Sequence, residues 1–180
     1  LDPTLLLPAA EWSALAAERT VRGGYILCYG IARSEALEPY IRRLAEETGL
    51  PVVQLCGTRH KLHPRAKLIF DAGPAEFLSL FQNAAFVCTN SFHGTVFSVQ
   101  FQRPFFTAAA PAELREPERS RTFSLLSRLG LTERIVGGDA APPPESPDWD
   151  AAGERLSAAR REALAYLKAA LENAPPEGAA

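Results

Sequence analysis

"FVCTNSFHGTVFSV", residues 86–99, decides the fold of this chain. Apolar, strand-type residues run from Phe86 into the polar Asn90-Ser91-Phe92-His93-Gly94-Thr95, and apolar residues then return with a different period. A strand passing through a short polar turn into a helix is half of a strand-helix-strand unit. The carboxyl end of a parallel strand is where an open sheet presents loops and helix N-terminal N–H groups to a ligand. One histidine, His93, stands at that junction.

The same alternation continues outward in both directions. "GYILCYGI" (residues 24–31) is a continuous apolar run ending at a glycine, as a strand buried on both faces requires. The next stretch, residues 34–50, reads as a helix with Ser34 as its N-cap, Leu37, Ile41, Leu44 and Ala45 as its apolar stripe, and Gly49 as its stop. "PVVQLCG" is the second strand, residues 58–67 are a polar, basic loop, and "LIFDAG" is a third strand. A helix follows with Pro74 in its first turn and Phe77, Leu80 and Phe81 facing the core. After the opening stretch, "RPFFTAAA" reads as another strand. Three strand-helix-strand crossovers predict an α/β fold with a mostly parallel sheet and helices on both faces.

The flanks are plainer. Residues 1–18 form an apolar lead-in and a helix. Residues 120–136 carry a short helix with Phe123, Leu126 and Leu129 inward and Gly130 as its stop. The expected organisation is one domain over residues 1–136, a Gly/Pro-rich connector over 137–148, an amphipathic helix over 149–173 and a tail over 174–180. The stripe of that last helix is Leu156, Ala159, Ala163, Tyr166, Leu167 and Ala170, placed either on this domain or against a further one.

Composition narrows the function classes. The 180 residues are 47% hydrophobic and 22% charged, enough for one sizeable core and too apolar for a disordered chain. A net charge of −2, with no long basic run, argues against a nucleic-acid partner. No apolar run approaches the roughly 20 residues of a membrane span. No basic stretch followed by an apolar core stands near Leu1, so no secretory leader is expected. Cys28, Cys56 and Cys88 each sit in an apolar run and read as buried free thiols of a cytoplasmic protein.

Asn90, Ser91, His93, Gly94 and Thr95 are the chemistry-bearing set. Gly94 would let a ligand approach the backbone, Ser91 and Thr95 would add hydroxyls to an anion nest, and an imidazole can move a proton near neutral pH. The same residues admit a plainer reading, in which Ser91 caps the helix, Gly94 permits a tight turn and His93 bonds a carbonyl. Cys56, His60 and His63 are an incomplete ligand set, so no metal is expected. Arg59, Lys61, Arg65 and Lys67 read as a solvated basic loop, and Glu76 as a residue favouring a helix start.

Motif identity separates the two readings. The stretches "DAGPAEFLSLFQNAAFVCTNSFHGTVFSVQFQRPF" (residues 71–105) and "SRTFSLLSRLGLTERI" (residues 120–135), with "LDPTLLL" and "YILCYGI" more weakly, resemble the polysaccharide pyruvyl transferase family. The Gly-Pro-x-Glu-Phe helix, then Asn-Ala, a strand and Ser-Phe-His-Gly-Thr, is specific in that order. The resemblance implies a Rossmann-like domain, the C-terminal, donor-binding half of a two-domain architecture similar to GT-B glycosyltransferases. It implies a transferase that moves a pyruvyl group from phosphoenolpyruvate to a sugar of a bacterial surface polysaccharide or its precursor, with no metal or other cofactor. The partners implied are the small-molecule donor, the glycan acceptor and an N-terminal domain beyond this chain, without which the chain alone is inactive.

Residue by residue, the family's histidine falls on His93, with general acid catalysis as its implied role. The implied donor-binding residues are Asn90, Ser91, Gly94 and Thr95, with Gly30 at the end of the first strand and Arg121. Many members carry Arg where this chain has Ser91, and Arg121 or Arg119 would restore that charge from another loop. This departure keeps two alternatives open: a glycosyltransferase-like domain using a nucleotide-sugar donor, and a non-catalytic binding module of the same fold.

Overall fold

The computed structural model describes residues 1–30, 35–55, 60–137 and 145–173. After a 3-10 turn at Pro3–Leu5 come α1 (Ala9–Ala14), β1 (Ile26–Tyr29), α2 (Glu38–Thr48), β2 (Val52–Leu55) and β3 (Lys67–Ile69). Then follow α3 (Pro74–Asn83), β4 (Phe86–Thr89), α4 (Phe92–Gln100), β5 (Phe105–Ala108), α5 (Pro111–Arg115), α6 (Arg121–Leu129), β6 (Ile135–Val136) and α7 (Trp149–Glu172). The six strands form one sheet in the order β3-β2-β1-β4-β5-β6, and every pairing is parallel. This is the Rossmann strand order. Its direction of winding reverses between β1 and β4, and that reversal leaves a crevice at their carboxyl ends.

The strands are short and apolar because both faces are covered. Leu27, Val53, Val87 and Phe105 point to one face, where residues of α3, α4, α6 and α7 complete the core. Ile26, Cys28, Val52, Cys88 and Phe106 point to the other, against Leu37, Ile41 and Leu44 at α2. Between β2 and β3 no helix occurs among the described residues. Leu62 and Ala66 of that connection pack onto the α2 face, held by Gln54, whose Nε2 donates to the His60 carbonyl (2.7 Å) and whose Oε1 accepts from the Leu62 amide (2.9 Å).

An aromatic cluster fixes α3 and α4 to the sheet beneath the crevice. Tyr29 meets Phe77 edge-on with centroids 5.3 Å apart, and Phe77 meets Phe97 in the same way at 5.4 Å. Such pairs add about 0.5–1.5 kcal/mol each beyond the area they bury. Tyr25, fully buried, donates its hydroxyl to the Leu80 carbonyl at 2.7 Å. Burial pushes the phenol pKa up to about 12, against the opposing charges of Arg19 and Arg103.

The expected helices and strands are present, and Gly49 and Gly130 end α2 and α6 in left-handed conformations. Ser34 and Cys56 lie outside the described residues. Three details differ from the sequence reading. The buried face of α6 is Thr122, Leu125, Leu126 and Leu129, an i, i+3, i+4, i+7 stripe that leaves Phe123 half-buried. The two-residue β6 was not expected, because two residues carry no period. In α7 the buried positions are Ala152, Leu156 and Ala159, while Tyr166 and Leu167 further along the expected stripe are 74% and 41% exposed. Among the described residues no helix is long and apolar enough to cross a membrane.

Candidate functional site

β1 and β4 are neighbours with Tyr29 opposite Thr89, so Gly30 and Asn90 follow side by side at the reversal point. The chain is held there by Thr89. Its hydroxyl donates to the Tyr29 carbonyl at 2.6 Å and accepts from the Ser91 amide at 3.0 Å, which ties the two strand ends together and sets the start of α4. Both Gly30 and Asn90 are half-buried.

The next residues divide between scaffold and surface. Ser91 is the N-cap of α4, its hydroxyl accepting from the Gly94 amide at 3.4 Å, and it is 2% exposed. Thr95 is fully buried, with its hydroxyl hydrogen-bonded to the Ser91 carbonyl (3.2 Å) and to the Thr107 hydroxyl on β5 (2.9 Å). Gly94 is a point of close approach. A Cβ there would lie 2.2 Å from Thr89 Oγ1 and 3.1 Å from a ring carbon of Tyr29. These three residues therefore seat α4 against β1, β4 and β5. What is left for the crevice is backbone: the Phe92 and His93 N–H groups that open α4 have no acceptor within the helix and carry its positive end, whereas the Ser91, Gly94 and Thr95 amides donate to Thr89 Oγ1, Ser91 Oγ and the Ser91 carbonyl.

His93 is the exposed member, with about half its side chain accessible. It stands on the first turn of α4, and its Nε2 lies 3.8 Å from Oδ2 of Asp2. Asp2 is itself held: its Oδ1 accepts from the Thr4 amide (2.9 Å) and the Thr4 hydroxyl (2.5 Å), and only 14% of its side chain is exposed. On the other side, Phe92 meets the His93 ring edge-on at 5.6 Å, and the Arg121 guanidinium sits over the Phe92 ring, 4.5 Å from its centroid. A cleft of about 310 Å³ opens beside them, lined by Leu1, Asp2, Phe92, Arg121, Ser124, Leu125 and Arg128.

The structure thus brings Gly30, Asn90, His93 and the α4 N-terminus to one edge, with Arg121 reaching it from α6 through Phe92. Of the two arginines weighed from the sequence, Arg119 is 78% exposed and paired with Glu116 at 2.7 Å, whereas Arg121 lines the cleft. Asp2 and Phe92 were not among the residues singled out from the sequence. Asp2 lies 91 positions from His93, and the one local signal was the Asp-Pro-Thr turn of "LDPTLLL". The local charge is mixed, with the Asp2 carboxylate against His93 and, on the cleft wall, Arg121 beside Arg128, the latter ion-paired with Glu162. Such a set suits an anionic ligand with a proton to be moved. Among the described residues no group of three or more His, Cys, Asp or Glu side chains is arranged to hold a metal. His60 pairs with Glu38 at 3.5 Å, and burial lowers the pKa of His63, aided by Arg65 and Arg42.

Cys28 and Cys88 sit one residue below the crevice, opposite each other on β1 and β4. Both are free and buried. The Cys28 thiol pKa is raised well above its ordinary value by its hydrogen bond with Cys88 and by burial.

No curated protein matches the chain. Among solved structures, the UDP-GlcNAc 2-epimerase from Methanocaldococcus jannaschii is similar at 12% sequence identity and a TM-score of 0.39. That match covers 84% of this chain and 48% of the epimerase, so the chain spans about half the length of that protein. The model of the polysaccharide pyruvyl transferase family matches residues 1–109, which includes the Asp-Pro-Thr turn, β1 and the whole His93 junction. With more than half of its length matched, the chain belongs to the polysaccharide pyruvyl transferase family.

Proposed function

We propose that this chain is the donor-binding half of a two-domain transferase that moves a pyruvyl group from phosphoenolpyruvate to a sugar of a polysaccharide or its precursor. The observation that carries the reading is His93 on the first turn of α4, at the winding reversal of the sheet, faced by Asp2, with the Arg121 guanidinium over the ring of the adjacent Phe92. Phosphate or carboxylate binds the free N–H groups of α4 and the Arg121 guanidinium. His93 acts as general acid. It protonates the donor methylene, which becomes the methyl group, as one sugar hydroxyl adds to the adjacent carbon. Phosphate then leaves as the second hydroxyl closes the ketal. The two hydroxyl protons balance the one gained by the methyl carbon and the one carried off on phosphate. Asp2 places a carboxylate oxygen 3.8 Å from the His93 imidazole that carries out this step.

The reaction needs no metal in this scheme, since the helix N-terminus and guanidinium stabilise the departing anion. A second domain, beyond the residues of this chain, supplies the acceptor sugar and excludes water. Isothermal titration tests the donor. Phosphoenolpyruvate should give saturable heat and raise the melting temperature, while a nucleotide sugar should do neither. Heat with a nucleotide sugar and none with phosphoenolpyruvate would assign the chain to glycosyl transfer instead.

A further inference from the structure

The amino edge of the sheet, opposite the His93 crevice, carries a cavity of about 470 Å³ between α1, the end of α3, the end of α4 and the start of α7. Its volume is in the range of small-ligand sites. Among the described residues its charged lining is Arg103 and Arg160, with no carboxylate. Arg160 is fixed rather than solvated: its guanidinium donates to the carbonyls of Leu5 (2.5 Å) and Leu7 (3.1 Å) and to Oε1 of Gln100 (2.8 Å). All three acceptors are neutral, no ion pair to it occurs among the described residues, and burial lowers its pKa. Arg103 is anchored by its Nε to the Phe101 carbonyl at 3.0 Å, and its two terminal nitrogens make no hydrogen bond among the described residues.

Two further observations point to a ligand. Gly153 lies in the third turn-half of α7 and lines the cavity, yet a Cβ there would meet nothing within 4 Å. A glycine inside a helix is costly, and neither a left-handed backbone nor close packing asks for it here. The empty space over it is room for something else. The residue preceding Arg103, Gln102, is the one described non-glycine residue with positive φ, at 51°. That left-handed turn lies on the cavity wall. The half-buried ring of Trp149 and the amide of Gln82 complete the lining. A flat aromatic face with amides and guanidinium groups suits a sugar ring that carries an anionic substituent.

We propose that this amino-edge cleft is a second ligand site, one that binds an acidic sugar unit of a glycan through Arg103 and Arg160, with the ring over Gly153 and against Trp149. The sugar part of this assignment rests on the proposed function. The anionic part rests on the cleft alone. The site lies at the far edge of the sheet from the reacting crevice, and so retains the glycan rather than presenting it for reaction.

The test is calorimetric titration of the intact protein with a galacturonic acid trisaccharide, with maltotriose and with inorganic phosphate. Saturable trisaccharide binding is expected, at least about tenfold tighter than either comparison ligand. Arg103→Gln should weaken it by about tenfold or more, the loss of charge-assisted hydrogen bonds. Gly153→Ala should weaken it while leaving the melting temperature equal or higher, since alanine is the better helix former. His93→Ala should leave it unchanged, and Arg103→Gln should leave phosphoenolpyruvate binding unchanged, which separates this site from the donor site. Absence of saturable binding, equal binding of maltotriose or phosphate, or an unaltered affinity in Arg103→Gln would each overturn the proposal.

Discussion

Nε2 of His93 and Oδ2 of Asp2 lie 3.8 Å apart across 91 residues of sequence, and the Asp-Pro-Thr turn that fixes Asp2 is built before the sheet begins. The pair gives the exposed imidazole a fixed negative neighbour on one side, with the start of α4 on the other.

Asp2→Asn removes that charge and retains a capping oxygen for Thr4, since Asn and Asp cap helices about equally well. Its melting temperature should match the parent, while in the two-domain protein that carries this chain phosphate release from phosphoenolpyruvate with acceptor present should fall about tenfold at unchanged KM. His93→Ala should cost about 10²–10⁴-fold in the same assay, the usual range for a lost general acid. Parent-like turnover in Asp2→Asn would remove Asp2 from the site.

Thr95 and Thr107 share a buried hydrogen bond of 2.9 Å between α4 and β5. Thr95→Val should destabilise by about 1–3 kcal/mol, because it leaves the Thr107 hydroxyl buried with its partner gone. The double variant Thr95→Val/Thr107→Val should recover part of that loss. Chemical denaturation of the four proteins measures the coupling. Strict additivity would show that the hydroxyls do not act as a pair.

Gly94→Ala drives a methyl group into Thr89 and Tyr29, the residues that join β1 to β4. Overpacking of this kind costs about 1–3 kcal/mol. For a chain of this length that lowers the melting temperature by several degrees, at about 2–4 °C per kcal/mol. A calorimetric scan unchanged from the parent would contradict the close approach.

Alkaline stability should follow Tyr25. Its phenol pKa is about 12 when folded, against an ordinary value of 10.0. Above the ordinary value the unfolded chain releases this proton while the folded chain keeps it. The stabilisation is therefore complete below pH 10.0, falls by up to about 1.4 kcal/mol per pH unit between there and the folded value, and is gone above it. Tyr25→Phe should flatten that segment of a stability-against-pH curve, and an unchanged slope would assign the loss to other groups.

How much of this was legible in the sequence follows from the range of each interaction. Strands and helices were readable where the apolar period persisted, as in residues 38–48 and 92–100, and where Gly49 and Gly130 mark helix ends. The strand order was not, because the period says nothing of which strands pair. The His93 junction stood out locally as a strand end running into a helix. The division of labour within it did not: that Ser91, Gly94 and Thr95 seat the helix is visible only once Thr89, Tyr29 and Thr107 are placed beside them. Asp2 escaped notice for the same reason, since its partner is distant in sequence. The stripe of α7 continues past Ala159 in the sequence while its burial does not, because period reports an apolar face and not what covers it.

A crystal structure of this chain with phosphoenolpyruvate tests the donor site. The phosphate or carboxylate should lie within hydrogen-bonding distance of the Phe92 and His93 amides, with the His93 imidazole toward the methylene carbon and Arg121 on the anion. Density for phosphoenolpyruvate at any other place, with the start of α4 empty, would contradict it.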